Sequence, residues 1–492
     1  MLDKLLQLLS YNPQEPLLFN TSLFCFLFAA FVIGYALLSN HRTTLLRLAY
    51  VTLFSYYFYY KNAGGYCILL LIITIVNFFS AIFIDRSNIR WVRRFWLTLA
   101  VVFMVGQLAF FKYTNFLLSS WADISGQGEP MVLDIFLPLG ISFFTFQSLS
   151  YIIDVYRRDM PATYRFLDFA FFVSFFPTLL SGPILRARQF LPQLRKPLLV
   201  TREMFGTGLW FIIMGLIKKG VISDFIGENF VNRIFDNPAL YTGLENLMAV
   251  YGYALKLYCD FSGYSDIAIG IALWLGFTIP DNFNTPYQST SVTEFWRRWH
   301  ISLSTWLRDY LYIPLGGNRK GKMRMYFNQM MTMLIGGLWH GASWNFVIWG
   351  GIHGTALCTH KAWRDMLHHD KHYVSHGIRK FFAILITFHV VCLAWIFFAN
   401  TSFEYAWIML QKIFTDFHGE LFMGFLEGYP IVTAIMVAGF ILHFLPASVN
   451  QWAIRTTVRT PLILQVLLFV LTVFILMQVR GSEVQPFIYL QF

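Results

Sequence analysis

Charge is scarce in this chain. Asp, Glu, Lys and Arg together supply 13% of its 492 residues, against 57% hydrophobic residues, which excludes a soluble multidomain enzyme and leaves an integral membrane protein. The long apolar runs also lack alternation of apolar and polar positions. That excludes a β-barrel, because a continuous apolar run forms a helix that satisfies its own backbone polar groups in lipid. Cysteine is sparse. Cys25, Cys67, Cys259, Cys358 and Cys392 lie in or beside apolar segments with no CxxC or other ligand spacing, so they read as packing thiols rather than disulfides or a metal site. HExxH is absent as well. His368, His372 and His376 fall at helical i, i+4 spacing, but no Glu or Cys completes a ligand set, and no metal is expected. No internal repeat and no linker to a separable soluble domain is evident, and no cleavable leader is expected. The first apolar run starts near Phe19 and is long enough to span, so it reads as an uncleaved first helix.

What is present is basic charge. The formal net charge of +11 sits between the apolar runs, as topogenic charge does, so membrane lipid is expected as a partner and nucleic acid is not. The fold class is therefore all-α and polytopic.

In chain order, a first span at 19–38 is followed by His41, Arg42 and Arg47, which places the N-terminus outside. A short aromatic segment (48–60), a span at 66–84, a cytoplasmic turn with Arg86, Arg90, Arg93 and Arg94, and a span at 95–118 come next. The apolar stretch FLDFAFFVSFFPTLLSGPILRARQFLPQLRK is basic on both flanks and broken by Pro177, Gly182 and Pro183. It reads as a re-entrant hairpin, with a Pro-kinked span as the alternative. A span at 204–221 precedes two more within 244–280, interrupted at CDFSGYSD. Asp260 and Asp266 there are costly at membrane depth unless partnered, and structural ion pairs with the basic connector of residues 297–324 are expected. Residues 282–322 are amphipathic and read as an interfacial helix pair. A His-rich loop over 353–376 and spans near 380–398, 430–446 and 461–479 complete the chain, with the C-terminus outside.

Chemistry concentrates between Glu294 and Asn345. WRRWH and WHGAS place His300 and His340 in aromatic, apolar surroundings. Either imidazole alone reads as a packing residue, but the pair together points to a site. Arg297 and Arg298 have two readings, attraction of donor phosphates or positive-inside anchoring.

WRRWHISLSTWLRDYLYIPLGGNR with IGGLWHGASWNFVIWGGIHG resembles the membrane-bound O-acyltransferase (MBOAT) family, in particular its bacterial branch of alginate O-acetylation and teichoic-acid D-alanylation proteins. LSGPILRARQFLPQL, LYCDFSGYSDIAIGIALWLGF and the terminal FIYLQF extend the resemblance over most of the chain from about Leu137. It implies a ring of about 11–13 tilted helices around a central tunnel, with re-entrant and interfacial helices. One membrane domain follows, with N-terminal helices (1–136), a catalytic core (137–359) and C-terminal helices (360–492).

By the same resemblance His340 is the catalytic residue and His300 the second polar position of the active site. The implied reaction moves an acyl group, acetyl above all, from a cytoplasmic thioester to an exported polysaccharide at a bacterial inner membrane. Acetyl-CoA is the expected donor, with no bound cofactor, and an esterase-like extracytoplasmic protein is the expected partner. A neutral imidazole, with an unperturbed pKa of about 6.5, suits a general base, so His340 takes that role. His300 then orients the acceptor or donates to the oxyanion. FIYLQF is similar to the C-terminal motif of a small partner in D-alanylation, where a Tyr has been proposed to carry the acyl group. That makes Tyr489 a candidate acyl relay, or else an interface anchor. The competing readings are D-alanyl transfer from a carrier protein to teichoic acid, a transporter using intramembrane His and Asp, and a structural scaffold.

Overall fold

A computed structural model describes residues 2–38, 44–126, 128, 132–196, 199–367, 376–479 and 485–488. Among them every regular element is helical. The chain forms two compact units, one of residues 1–208 with 267–280, the other of 209–266 with 281–492.

The first unit opens with α1 (Leu2–Leu9), α2 (Ser22–Leu37), α3 (Thr44–Ala63), α4 (Cys67–Arg86) and α5 (Arg90–Ser125). Thr21 starts α2 by accepting a hydrogen bond from the Phe24 N–H. The aromatic segment expected at 48–60 is the middle of α3, a full helix of 20 residues. Its polar side chains bond inward, which is how they fit a buried face. Ser55 donates to Val51 O, Asn62 to Phe58 O and Leu17 O, and Lys61 to Leu8 O and Ser10 O. After the almost wholly buried α6 (Ile141–Arg157), the Pro- and Gly-broken stretch forms α7 (Phe166–Ser174), α8 (Phe176–Leu179) and α9 (Ala187–Phe190). Pro177 stands in the first turn of α8, where its missing N–H costs nothing. None of these pieces is long enough to cross a membrane.

α10 (Arg202–Leu216) leads through π-helical turns at 217–224 and 227–231 into α11 (Asn232–Asp236) and then α12 (Gly243–Trp274). The interruption expected at CDFSGYSD is absent, and α12 is one helix of 32 residues. Gly263 serves close packing instead of a break, because a Cβ there would lie 2.8 Å from Gly215 O. The second unit continues with α13 (Val292–Arg298), α14 (Ile301–Leu307), α15 (Lys322–His340), α16 (Trp344–Met366) and α17 (Gly377–Ala399). It ends with α18 (Phe403–Thr415), α19 (Phe422–Gly428), α20 (Pro430–Phe444), α21 (Ala447–Arg459) and α22 (Leu462–Val479). The His-rich loop begins later than expected, since α16 carries through to Met366.

Among the described residues, three helical stretches are long and apolar enough to cross a membrane, at 44–86, 90–125 and 377–399. A fourth follows if the pair Gly419–Gly428 and Pro430–Phe444, bent by 100°, is one span. That is fewer than the resemblance implies, because several apolar helices, such as α2 and α22, are short. Bulky apolar side chains left exposed, among them Phe26, Leu53, Trp91, Ile386 and Ile463, fit a surface solvated by lipid tails.

Candidate active site

The first candidate histidine sits at a corner. Ser291 caps α13 by accepting from the Glu294 N–H, and Glu294 in turn accepts from the N–H and hydroxyl of Thr290, a reciprocal cap that fixes the start of the helix. Four residues on, Arg298 pairs with Glu294 at 2.8 Å and donates to Asn284 O and Thr285 Oγ1, both at 3.3 Å. α13 stops at Arg298, and His300 takes the left-handed conformation, φ 42° and ψ 57°, before α14 begins. A non-glycine residue there costs roughly 1 kcal/mol or more and persists only when its surroundings hold it.

Asn282 does the holding. Its main-chain oxygen accepts from the Ile301 N–H at 2.9 Å. Its Oδ1 accepts from the Ser302 N–H at 3.2 Å and the Ser302 hydroxyl at 2.8 Å, and lies 3.1 Å from His300 Nδ1. An atom that accepts from a main-chain N–H is an oxygen, so the amide orientation is fixed and His300 Nδ1 must be the donor. The neutral ring therefore carries its proton on Nδ1, and Nε2 holds the lone pair. The imidazole is fully buried and packs edge-on against Phe261 of α12, ring centroids 4.7 Å apart. Burial of this kind favours the neutral form.

His340 is the last residue of α15, and the chain turns directly into α16, whose first N–H groups are capped by Ser343. The turn needs glycine for a steric reason. A Cβ on Gly341 would stand 2.0 Å from the Phe346 ring, and one on Gly350 would stand 2.5 Å from Met333 O. The two helices thus meet nearly backbone to backbone, which sets His340 against α16. Its ring lies 4.9 Å from Trp349, 5.2 Å from Phe398 and 4.9 Å from Trp339. Trp339 also lies 6.0 Å from His300. One indole thus touches both candidate imidazoles, and their centroids are no farther apart than the sum of those two distances.

The other candidates fall elsewhere. Asp260 and Asp266 are ion-paired, but with Lys219 and Lys218, each at 2.6 Å, and not with the basic connector. Arg298 is committed to Glu294, while Arg297 is exposed. Tyr489, His368 and His372 lie outside the described residues. His376 is exposed beside the start of α17, and no group of three potential metal ligands occurs among the described residues.

Sequence reasoning missed two residues of the site. Asn282 lies 18 positions before the histidine it orients, with no motif to mark it. His353 was assigned to a loop, yet it is fully buried on α16, where Trp296 Nε1 donates to its Nδ1 at 3.3 Å and the Trp349 ring lies 4.8 Å away. The signal for His353 was readable, because Asn345, Trp349 and His353 recur at i, i+4 and i+8 along one helix face.

The family model of membrane-bound O-acyltransferases matches residues 11–407. A probable alginate O-acetylase of Azotobacter vinelandii is 40% identical over 91% of this chain and 87% of its own. The peptidoglycan O-acetyltransferase of Helicobacter pylori is 37% identical over 80% of this chain and 79% of its own. The teichoic acid D-alanyltransferase of Bacillus subtilis is 32% identical over 54% of this chain and 70% of its own.

Proposed function

The chain belongs to the membrane-bound O-acyltransferase family, and from that premise we propose that it transfers acetyl groups from acetyl-CoA to a hydroxyl of an exported polysaccharide. It is an integral membrane O-acetyltransferase, and the bacterial cytoplasmic membrane is the proposed location. The observation that carries the reading is the pair of buried histidines of WRRWH and WHGAS meeting the same indole, Trp339.

Acyl transfer from a thioester to an alcohol forms one C–O bond and breaks one C–S bond. The hydroxyl proton must leave, and it ends on the departing thiolate. We assign its removal to His340 as general base. His300 is given the orienting role, since Asn282 leaves its lone pair on Nε2, where it accepts from an acceptor hydroxyl. The neutral Nδ1–H tautomer has no proton on Nε2, so donation to the oxyanion is the weaker of the two roles first considered. Arg297, exposed one position before the paired Arg298, is the remaining candidate for attracting the donor's phosphates. Tyr489 is retained as the immediate acceptor, with the acyl group passing from it to the polysaccharide with the help of an extracytoplasmic partner protein.

The test is incubation of the purified protein with radiolabelled acetyl-CoA, with His340→Ala and Tyr489→Phe beside the wild type. Label retained on denatured wild type and lost from both variants supports the relay driven by His340. Label on polysaccharide with Tyr489→Phe removes the relay but keeps the acetyltransferase. A wild type that never cleaves the thioester, with polysaccharide supplied, refutes acetyl-CoA as donor.

A further inference from the structure

The described end of the chain is bound to a buried ion pair. Lys219, 1% exposed, lies in the π-helical turn after α10 and has three N–H donors. One goes to Asp260 Oδ1 at 2.6 Å, one to Asp224 Oδ1 at 2.8 Å and the third to the main-chain oxygen of Pro486 at 3.2 Å. Asp260 is equally committed. Its Oδ1 takes the lysine, and its Oδ2 accepts the Ile488 N–H at 2.7 Å. Between these two main-chain bonds sits Phe487, 1% exposed, with the Lys219 ammonium 4.6 Å from its ring centroid and the Tyr264 ring edge-on at 4.9 Å. The cavity left beside Lys219, Asp260, Pro486 and Ile488 measures about 20 Å³, room for roughly one water.

A buried carboxylate and ammonium are tolerated only when their remaining valences are met. Here the tail meets them, since the third lysine donor and the second carboxylate oxygen both end on the main chain of residues 486–488. We infer that Lys219 and Asp260 form a latch that holds residues 486–488 near the C-terminus. The latch stands on this geometry alone. Its bearing on acetyl transfer rests on the function proposed above, because Tyr489 is the residue that follows Ile488.

The full-length protein in detergent is exposed to a carboxypeptidase, and its mass is followed with time. Trimming of wild type stalls at Ile488, whose N–H and side chain are held. Phe487→Ala removes the buried ring between the two main-chain bonds and keeps the Lys219 and Asp260 side chains themselves. The variant Lys219→Met, Asp224→Asn and Asp260→Leu removes the lysine together with both carboxylates it pairs with, so that no buried charge is left without its partner. In both, trimming through position 487 accelerates on the order of 10²-fold, since cleavage follows the population of the released tail. Unchanged trimming in both variants overturns the latch. Each variant is also assayed for acetyl-CoA cleavage and, separately, for label on the acceptor. Because Tyr489 is the proposed immediate acceptor, cleavage and acceptor label falling together at least tenfold ties the latch to acetyl transfer, and both retained at the wild-type level while trimming accelerates overturns that tie. If wild type cleaves no acetyl-CoA, the proposed function fails, and the trimming result still decides the latch.

Discussion

Asn282→Ala is the most informative single change at the candidate site. Three donors converge on Asn282 Oδ1, namely His300 Nδ1, the Ser302 N–H and the Ser302 hydroxyl. The hydroxyl can rotate to another acceptor, whereas the ring N–H and the main-chain N–H cannot. Two buried donors are therefore orphaned at roughly 1–3 kcal/mol each, a destabilisation of about 2–6 kcal/mol. The left-handed His300 loses part of what holds it as well. For catalysis the consequence is a ring with no enforced tautomer, and transfer is expected to fall on the order of 10²-fold. Asn282→Asp separates the two effects. A carboxylate still accepts all three bonds, so the fold survives better than in the alanine variant, but its charge favours imidazolium. The acid limb of the rate profile then moves to higher pH, because a higher pH is needed to return His300 to its neutral form. The assay is label transfer from acetyl-CoA across pH 5 to 9, with thermal unfolding of each variant alongside. An Asn282→Ala protein with wild-type rate and an unshifted pH profile would refute the orienting role of Asn282.

Gly341→Ala places a methyl 2.0 Å from the Phe346 ring and should cost about 1–3 kcal/mol by overpacking. Thermal unfolding should show recovery in the double variant with Phe346→Leu, and the steric account fails without that recovery. Arg298→Ala breaks a half-buried pair with Glu294 and should lower stability by up to about 1 kcal/mol. A donor KM that rises more with Arg298→Ala than with Arg297→Ala would contradict the structural assignment of Arg298. Ser343→Ala removes the cap of α16 and should cost roughly 1 kcal/mol, read as a drop in unfolding temperature that Ser343→Asp largely avoids. His340→Gln should abolish transfer with the protein still monodisperse on gel filtration, and retained turnover would remove His340 from the base role.

Much of this was legible in the chain. Lipid forces backbone polar groups to be satisfied locally, so helix class and membrane residence follow from composition and continuous apolar runs. The pairing of WRRWH with WHGAS singled out both histidines as candidates, and the structure brings both rings near Trp339. Local reading failed where polar residues occur inside helices. Asp260 and Gly263 look like a break in α12, yet the helix is continuous, since a carboxylate and a glycine stop looking anomalous once Lys219 and Gly215 stand opposite them. Thr52, Ser55 and Asn62 hid the length of α3 in the same way, by bonding back to their own helix or to a neighbouring turn.

The sequence by itself determined the helical class and the residence in lipid, and it singled out the two histidines as candidates, because periodicity, apolar length and motif spacing are properties of neighbours along the chain. Only the tertiary structure decided which nitrogen of His300 holds the lone pair, which lysines neutralise Asp260 and Asp266, and where residues 486–488 are bound. Each of these depends on a hydrogen bond or ion pair between residues 18 to 267 positions apart. A partner at such a separation is chosen by packing, and local sequence carries no record of it.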